Sequence, residues 1–399
     1  MKRNNLLALV VLGTMVVFTL GLFVNSRAMA KEKIRIGGIV DLTGPTNVIG
    51  VPYSNGIEDY FAMVNKEGGI NGRQIDYFPI DFQYKLPQAM AAYKRLVAQQ
   101  KIIALLGWGT GDSKARIPLV NRDKIPQIQA SWAEDHVDPI TPYNFTAVAS
   151  YADEIKIMLQ YAKKHPVEKG RKLRVAYVYA DAEYARAPIR RIKKEKYAQK
   201  IGLDLVDEEI IAQTATEAVS QLLTLKKAKP DYTILVLTSK PASVVLKDAK
   251  KVGIDTKFMG FFYLGDYSLL KLVGDAAKGL MVATPFAFGS ETDIPGIKKI
   301  WDFNKRYHPD RKVIELQYIA GWINAMIMVE GVKRAGNNLT GKGVKEGLET
   351  FSNFQTGGIS KPISFSPKKH KGSCAIKIAL AYPDKLSFVP ITGWLTVEQ

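Results

Sequence analysis

Ala104-Leu-Leu-Gly-Trp-Gly-Thr-Gly-Asp-Ser-Lys-Ala115 is the stretch on which the reading of this chain turns. It begins as a buried strand, because Ile102 to Leu106 is a continuous apolar run. Gly107, Gly109 and Gly111 then break it, with Trp108 and Thr110 between them, and Asp112 and Ser113 lead into a helical segment. A strand that ends in glycines and feeds a helix exposes backbone N–H groups and short polar side chains at its carboxyl end. Ligands of open α/β sheets bind at that end. The same spacing also fits a tight strand-to-helix turn with no ligand, and the segment alone leaves both readings open.

Upstream, Ile34 to Val40 reads as a first strand and Asp41-Leu-Thr-Gly-Pro45 as the polar turn at its end. A helix from Tyr53 to Lys66 stops at Gly68-Gly69, and a strand follows from Gln74 to Ile80. Pro87 opens a helix that runs to Gln100, with proline in its first turn. Downstream, a helix over 113–122 precedes a short strand, 125–129, that ends in Ala130-Ser131-Trp132-Ala133. Alternation at this spacing predicts a parallel, doubly wound sheet. It pauses over Pro139–Val148 and resumes at Tyr151. Helices are expected over 151–164, 183–201, 216–229 and 241–252, and strands over 175–179, 205–211, 232–237 and 258–262. Two similar sets separated by a pause predict two similar lobes. Ile314 to Ala335 is strongly apolar, but Glu315, Gln317 and Asn324 mark it as a core helix rather than a membrane span. The tail, Ile359 to Trp394, alternates in short runs and reads as antiparallel β.

The chain has 399 residues, 47% hydrophobic and 24% charged, an ordinary globular composition long enough for two domains. Lys2 and Arg3, the apolar run Leu6 to Val24 and Ala28-Met29-Ala30 read together as a signal peptide over residues 1–30. That run is also about long enough to stay as an uncleaved membrane anchor. The formal net charge is +18, yet Lys and Arg are spread along the chain without a dense basic helix carrying aromatics. With export, this implies a solvated surface with weak affinity for anionic lipid, and no nucleic-acid partner. Cys374 is the only cysteine, so the fold must rest on hydrophobic cores rather than disulfides.

Several segments resemble the periplasmic solute-binding proteins of branched-chain amino acid (leucine/isoleucine/valine-type) ABC importers. The start of the exported chain, Ile36-Gly-Gly-Ile-Val-Asp-Leu-Thr-Gly-Pro45, is similar to theirs. Asn65-Lys-Glu-Gly-Gly-Ile-Asn-Gly-Arg73 matches their N-x-x-G-G-I-N-G-R turn. Gly260, Gly274-Asp275-Ala276-Ala277 and Gly279-Leu-Met-Val282 resemble a further segment. The resemblance implies an α/β chain of two Rossmann-like doubly wound lobes joined by three hinge crossings, the type I periplasmic binding protein fold. Crossings would fall near Thr146, Thr284 and Phe354, giving lobe 1 as 33–146 plus 284–353 and lobe 2 as 147–283 plus 354–399. It further implies a monomeric periplasmic protein that closes on a small-molecule ligand and delivers it to an ABC permease in the inner membrane. No cofactor, metal or catalytic residue is expected.

By the same resemblance, the two turns that would hold a ligand carboxylate offer Thr110, Gly111 and Asp112 in the first and Gln129, Ser131, Trp132 and Ala133 in the second. The usual threonine of the second turn falls on Ala133, and Asp112 would repel a carboxylate unless it points away. Tyr184 matches the tyrosine that follows the first strand of lobe 2, and Tyr84 and Thr110 stand where some members carry a disulfide. The acid that pairs with an α-ammonium falls on Phe262. Losing that partner is costly if the ammonium stays buried. Trp108, Trp132, Tyr184, Phe262 and Tyr263 form a candidate aromatic lining. The expected ligand is therefore an amino acid or, given this altered pocket, an aromatic or apolar small molecule. Two alternatives stay open: these aromatics are lobe core, or Ser131 or Asp266 restores the usual grip in a shifted register.

Other functions fit less well. A membrane-anchored ligand sensor of the same fold would require the leader to be kept. A hydrolase would draw on Gly111-Asp112-Ser113, but none of His136, His165, His308 and His370 has the Asp three residues earlier that such a motif needs. Asp41-Leu-Thr-Gly-Pro45 lacks the glycine pattern of a dinucleotide site.

Overall fold

The computed structural model describes residues 31–398. The expected signal peptide lies outside them. The first sheet is wholly parallel, with strands β1 (Ile34–Val40), β2 (Ile75–Asp81), β3 (Ala104–Gly107), β4 (Gln127–Gln129) and β5 (Asn144–Phe145) in the order β2-β1-β3-β4-β5. Helices α1 (Asn47–Lys66), α2 (Leu86–Arg95) and α3 (Thr110–Asp123) connect the strands.

α1 starts at Asn47, earlier than Tyr53, because the turn before it is already folded. The Asp41 carboxylate accepts from Gly44 N at 2.7 Å, Thr46 N at 2.8 Å and Thr46 Oγ1 at 2.6 Å. α2 passes into a π-helical turn over Leu96–Gln100. α3 starts at Thr110 rather than 113, so Gly111 is a helical residue and the turn proper is Gly107 to Gly109. A Cβ at Gly109 would meet the side chains of Asp112 and Tyr84, so any other residue there would have to displace them.

The second sheet is formed by β6 (Arg174–Ala180), β7 (Asp204–Ile211), β8 (Tyr232–Val236), β9 (Lys257–Gly260), β10 (Met281–Thr284), β11 (Ala375–Tyr382), β12 (Ser387–Pro390) and β13 (Leu395–Thr396). Its order is β12-β11-β10-β9-β8-β6-β7, with β13 also beside β11. β6 to β10 are parallel, whereas β11 runs antiparallel to β10, β12 and β13. Its helices are α4 (Tyr151–Lys164), α5 (Glu183–Lys194), the short α6 (Tyr197–Lys200), α7 (Val219–Ala228), α8 (Ser239–Val252) and α9 (Tyr267–Val273).

α4 falls where the sequence places it because both ends are specified. Ser150 and Asp153 form a reciprocal capping box, and Lys163 and Lys164 occupy the last turn. The helix expected over 183–201 is divided into α5 and α6 at Lys196, which sits at φ +49°. β9 stops at Gly260 instead of reaching 262, and Phe262–Leu264 forms a 3₁₀ turn. In the tail, strand pairing begins at Ala375; before it, Ile363 with Phe354 and Ser366 with Lys369 make isolated antiparallel bridges.

α10 (Pro295–Tyr307), α11 (Leu316–Ala335) and α12 (Gly341–Glu349) complete the fold beside the first sheet. α11 is the core helix expected from its composition, and it packs along α1. Their backbones touch at two glycines: a Cβ on Gly56 would strike the Tyr318 carbonyl, and one on Gly321 the Tyr53 carbonyl. No helix among the described residues is long and apolar enough to cross a membrane. α9, α10 and α12 had no counterpart in the reading of the sequence.

Between the sheets the chain runs through short, closely bonded segments. Thr146 N donates to the His370 carbonyl at 2.9 Å, and Gly372 N donates to the Thr146 carbonyl at 2.9 Å. Beyond β10, Ala287 N donates to the Ile359 carbonyl at 2.7 Å. Phe365 and His370 both pack on Phe145 of β5, with ring centres 5.3 and 3.9 Å away.

Candidate functional site

The carboxyl ends of the two sheets meet around one small cavity. Thr46, Ile49, Tyr84, Trp108, Gly109, Thr110 and Ser131 line it from the first lobe, and Tyr184, Thr238 and Tyr263 from the second. Its volume is about 20 Å³, on the order of one water molecule. A ligand as large as an amino acid therefore needs the lobes to part.

The first-lobe wall is polar and tightly braced. Thr110 Oγ1 and Ser131 Oγ lie 2.6 Å apart, and Trp108 Nε1 donates to Thr46 Oγ1 at 2.9 Å. Behind them Arg116, fully buried, donates from Nη1 to Asp112 at 2.5 Å and from Nη2 to Ser113 Oγ at 3.0 Å. Its Nε reaches Gln127 Oε1 at 3.3 Å. Asp112 thus turns away from the cavity into an ion pair. Burial pushes its carboxyl upward, and Arg116 opposes the rise. His136 Nε2 lies 3.2 Å from the Thr110 carbonyl, and burial lowers its imidazole to about 4, so it is neutral at pH 7.

The second-lobe wall is aromatic. Tyr184 OH donates to Gln213 Oε1 at 2.9 Å and accepts from Thr238 N at 3.2 Å. Tyr263 OH lies 2.8 Å from Tyr151 OH and donates across the cleft to the Ala130 carbonyl at 3.3 Å. Burial raises the hydroxyls of Tyr84, Tyr184 and Tyr263 above their ordinary value, so all three stay protonated. Glu154, at the start of α4, is fully buried and accepts from Phe262 N at 2.9 Å, while its Oε1 has no partner. Burial pushes this carboxyl well above the usual range.

Of the residues singled out from sequence, the structure brings Trp108, Thr110, Ser131, Tyr184 and Tyr263 to the cavity. Gly111 is exposed on α3, and Asp112 lies behind the wall. Trp132 and Phe262 are fully buried and pack on each other, ring centres 4.1 Å apart, with Phe286 5.7 Å from Trp132. Ala133 is buried beside the cavity rather than lining it. Thr46, Ile49 and Thr238 line the cavity without having been singled out. Thr46 and Thr238 follow β1 and β8, so the carboxyl-end rule applied to every strand would have found them. Tyr84 had been noted only as standing at a disulfide position. Among the described residues, no cluster of His, Cys, Asp and Glu is arranged to hold a metal.

Two Rossmann-like lobes whose strand ends face each other across a cleft define the type I class of solute-binding protein. The chain belongs to the periplasmic binding protein family, whose model matches residues 33–381. It is 22% identical over 317 residues to a leucine-, isoleucine-, valine-, threonine- and alanine-binding protein of Pseudomonas aeruginosa, covering 78% of this chain and 81% of that one. It is 23% identical to a Leu/Ile/Val-binding protein of Citrobacter freundii over 73% and 77% of the two chains. Among solved structures, a branched-chain amino acid ABC transporter protein of Thermus thermophilus with bound valine superposes with a TM-score of 0.85. Its identity is 27%, over 92% of this chain and 97% of that one. A fatty acid ABC transporter substrate-binding protein of Thermomonospora curvata shares the fold with a TM-score of 0.81 and 22% identity, over 91% and 92% of the chains. These relatives are solute-binding proteins, and this chain is one as well, not an enzyme.

Proposed function

We propose that this protein is the extracytoplasmic binding component of an ABC importer of the branched-chain amino acid type. It closes its lobes on a small molecule and hands that molecule to an inner-membrane permease. It acts as a periplasmic monomer, exported by residues 1–30. We draw the third crossing at 370–374 instead of Phe354, which makes the lobes 33–146 plus 284–372 and 147–283 plus 373–399. There the chain runs beside Thr146 before entering β11.

The observation that carries the ligand reading is the make-up of the cavity wall. Thr46, Tyr84, Thr110, Ser131, Tyr184, Thr238 and Tyr263 all bring hydroxyls, and no carboxylate lines it. Hydroxyls suit a carboxylate or a neutral polar head, and a bare ammonium finds no counter-charge there. Trp108, Tyr84, Tyr184 and Tyr263 offer flat faces to an apolar or aromatic body. The ligand is thus a small carboxylate or neutral polar molecule with an apolar or aromatic portion and no free ammonium. A structural neighbour from Thermomonospora curvata, named for fatty acids, supports this reading.

A thermal-shift screen with matched pairs tests this: leucine against its 2-keto acid, and phenylalanine against phenylacetate. The compound without the ammonium should raise the melting temperature, by mass action. A clear rise with leucine, isoleucine or valine and none with their ammonium-free partners would return the chain to ordinary amino acid binding.

A further inference from the structure

The amino ends of the first-lobe strands, opposite the cleft, gather basic side chains around the point where the described chain begins. Lys31, Lys33 and Arg35 lead into and along β1, Arg73 stands in the turn before β2, Lys101 precedes β3, and Lys124 precedes β4. Backbone contacts hold them together. Lys31 Nζ donates to the Asn71 carbonyl at 2.8 Å, Arg73 Nη1 to Glu32 at 3.0 Å, and Arg35 Nη1 to Gln100 at 3.3 Å. Lys33, Arg35, Arg73 and Lys101 border a groove of about 330 Å³ with Asn337 and Asn338. Arg35 Nε is buried there without a hydrogen-bond partner. Acids near this face include Glu32, Asp76, 3.7 Å from Lys33, Glu67 at the end of α1, and Asp123, which pairs with Arg122. Lysines often cluster at helix C-termini to offset the helix dipole, but Lys33, Arg35 and Arg73 lie on a strand and a turn, where no dipole calls for them.

We propose that this face docks on the anionic headgroups of a phospholipid bilayer. Two observations select that occupant. The face is cationic, and the chain leaves the fold from it toward the apolar run Leu6 to Val24. Only residues 25–30 separate Val24 from Lys31. Fully extended, that link spans roughly 25 Å, so while the leader is attached the base of the first lobe stays beside the membrane. Cations at that distance feel the surface potential, which decays over about 10 Å at 0.1 M salt. In this pose the cleft faces away from the bilayer, so the pose is a resting one that the protein leaves before it hands a ligand to the permease.

The named strands and helices lie between Ile34 and Thr396, so a protein beginning at Lys31 keeps the whole fold and removes the leader's own lipid affinity. Co-sedimentation with vesicles of phosphatidylglycerol in phosphatidylcholine, and with phosphatidylcholine alone, tests the proposal. Binding should require the anionic lipid and fade as salt is raised well above about 0.1 M. Lys33→Gln, Arg73→Gln and Lys101→Gln should each lower the partition coefficient by about fivefold, with unchanged melting temperatures. The control removes the same charge from the second lobe, at Lys227, Lys247 and Lys250, and should change binding less than about twofold in all. Equal losses from both sets, or no binding to anionic vesicles, overturns the proposal. A fall in melting temperature with unaltered lipid binding assigns these residues a structural role and also overturns it.

Discussion

The two walls of the cleft handle buried acid in opposite ways. On the first-lobe wall each carboxylate has strong donors: Asp112 is held by Arg116, and Asp41 by two backbone N–H groups and a hydroxyl. On the second-lobe wall the aromatic turn over 261–264 stands between two carboxyls, Glu154 and Asp266, with no Lys or Arg within ion-pair distance among the described residues. Asp266 caps α9 by accepting from Ser268 N at 2.9 Å, and Glu154 holds Phe262 N. Burial, with a smaller push from Glu315, raises Asp266 to about 6. Asp112, although burial raises it too, is held in one orientation by its ion pair with Arg116. An acid buried without a cation gives a wall linked to protons. The first lobe is thus a preformed polar platform, and the second an aromatic surface whose stability depends on pH.

The largest effect is expected from removing the cation of the first wall. Arg116→Met leaves Asp112 buried without a counter-charge and takes donors from Ser113 and Gln127. Urea unfolding should show a loss of about 3–5 kcal/mol. A loss below about 1 kcal/mol would mean that the platform does not depend on this pair, and the contrast between the walls would collapse.

Asp266→Asn addresses the second wall. A carboxyl whose folded value is about 6 against 3.8 unfolded contributes stability in full below 3.8, and that contribution is lost as pH rises through 6. The asparagine variant keeps an acceptor for Ser268 N and has no such term. It should match the parent near pH 3.5 and exceed it at pH 7 by up to about 3 kcal/mol. Glu154→Gln should flatten the pH profile in the same direction, since burial raises that carboxyl too. Parallel stability–pH curves for parent and variants would show that these acids are not held in the raised state.

How far the walls could be read from sequence follows the same divide. Features set by neighbours along the chain were legible. The capping box at Ser150 and Asp153 fixes α4, and the glycines of 107–109 mark the strand-to-helix turn that carries Trp108 and Thr110 to the cavity. Features set by contacts across the fold were not. Glu154 reads as an ordinary first-turn acid, and only the fold brings it to Phe262, 108 positions later. Phe262 looked like the end of a strand because its neighbours are apolar. The chain instead turns at Gly260, where a Cβ would strike the Leu264 side chain, so Phe262 packs on Trp132 in the core. Asp112 looked like an obstacle to a carboxylate because an ionised acid only accepts hydrogen bonds; Arg116, one helical turn on, draws it away, and a sequence does not show which way either side chain points. An i, i+4 Asp–Arg pair at a helix start is a signal that could have been weighed.

The smallest predicted effect tests whether the walls are joined as well as different. Tyr263 OH reaches from the aromatic turn to Tyr151 OH and, across the cleft, to the Ala130 carbonyl just before Ser131. Tyr263→Phe keeps the ring and removes only these bonds, so stability should fall by about 1 kcal/mol or less. The second bond joins the two lobes and must break when they part, so its loss should weight the open form. Small-angle scattering should then report a larger radius of gyration for the variant without ligand, while the pH profile set by Glu154 and Asp266 stays that of the parent. An unchanged radius would show that the lobes close without this contact, held by others such as Tyr151 N to the Trp132 carbonyl and the Trp132–Phe262 ring contact.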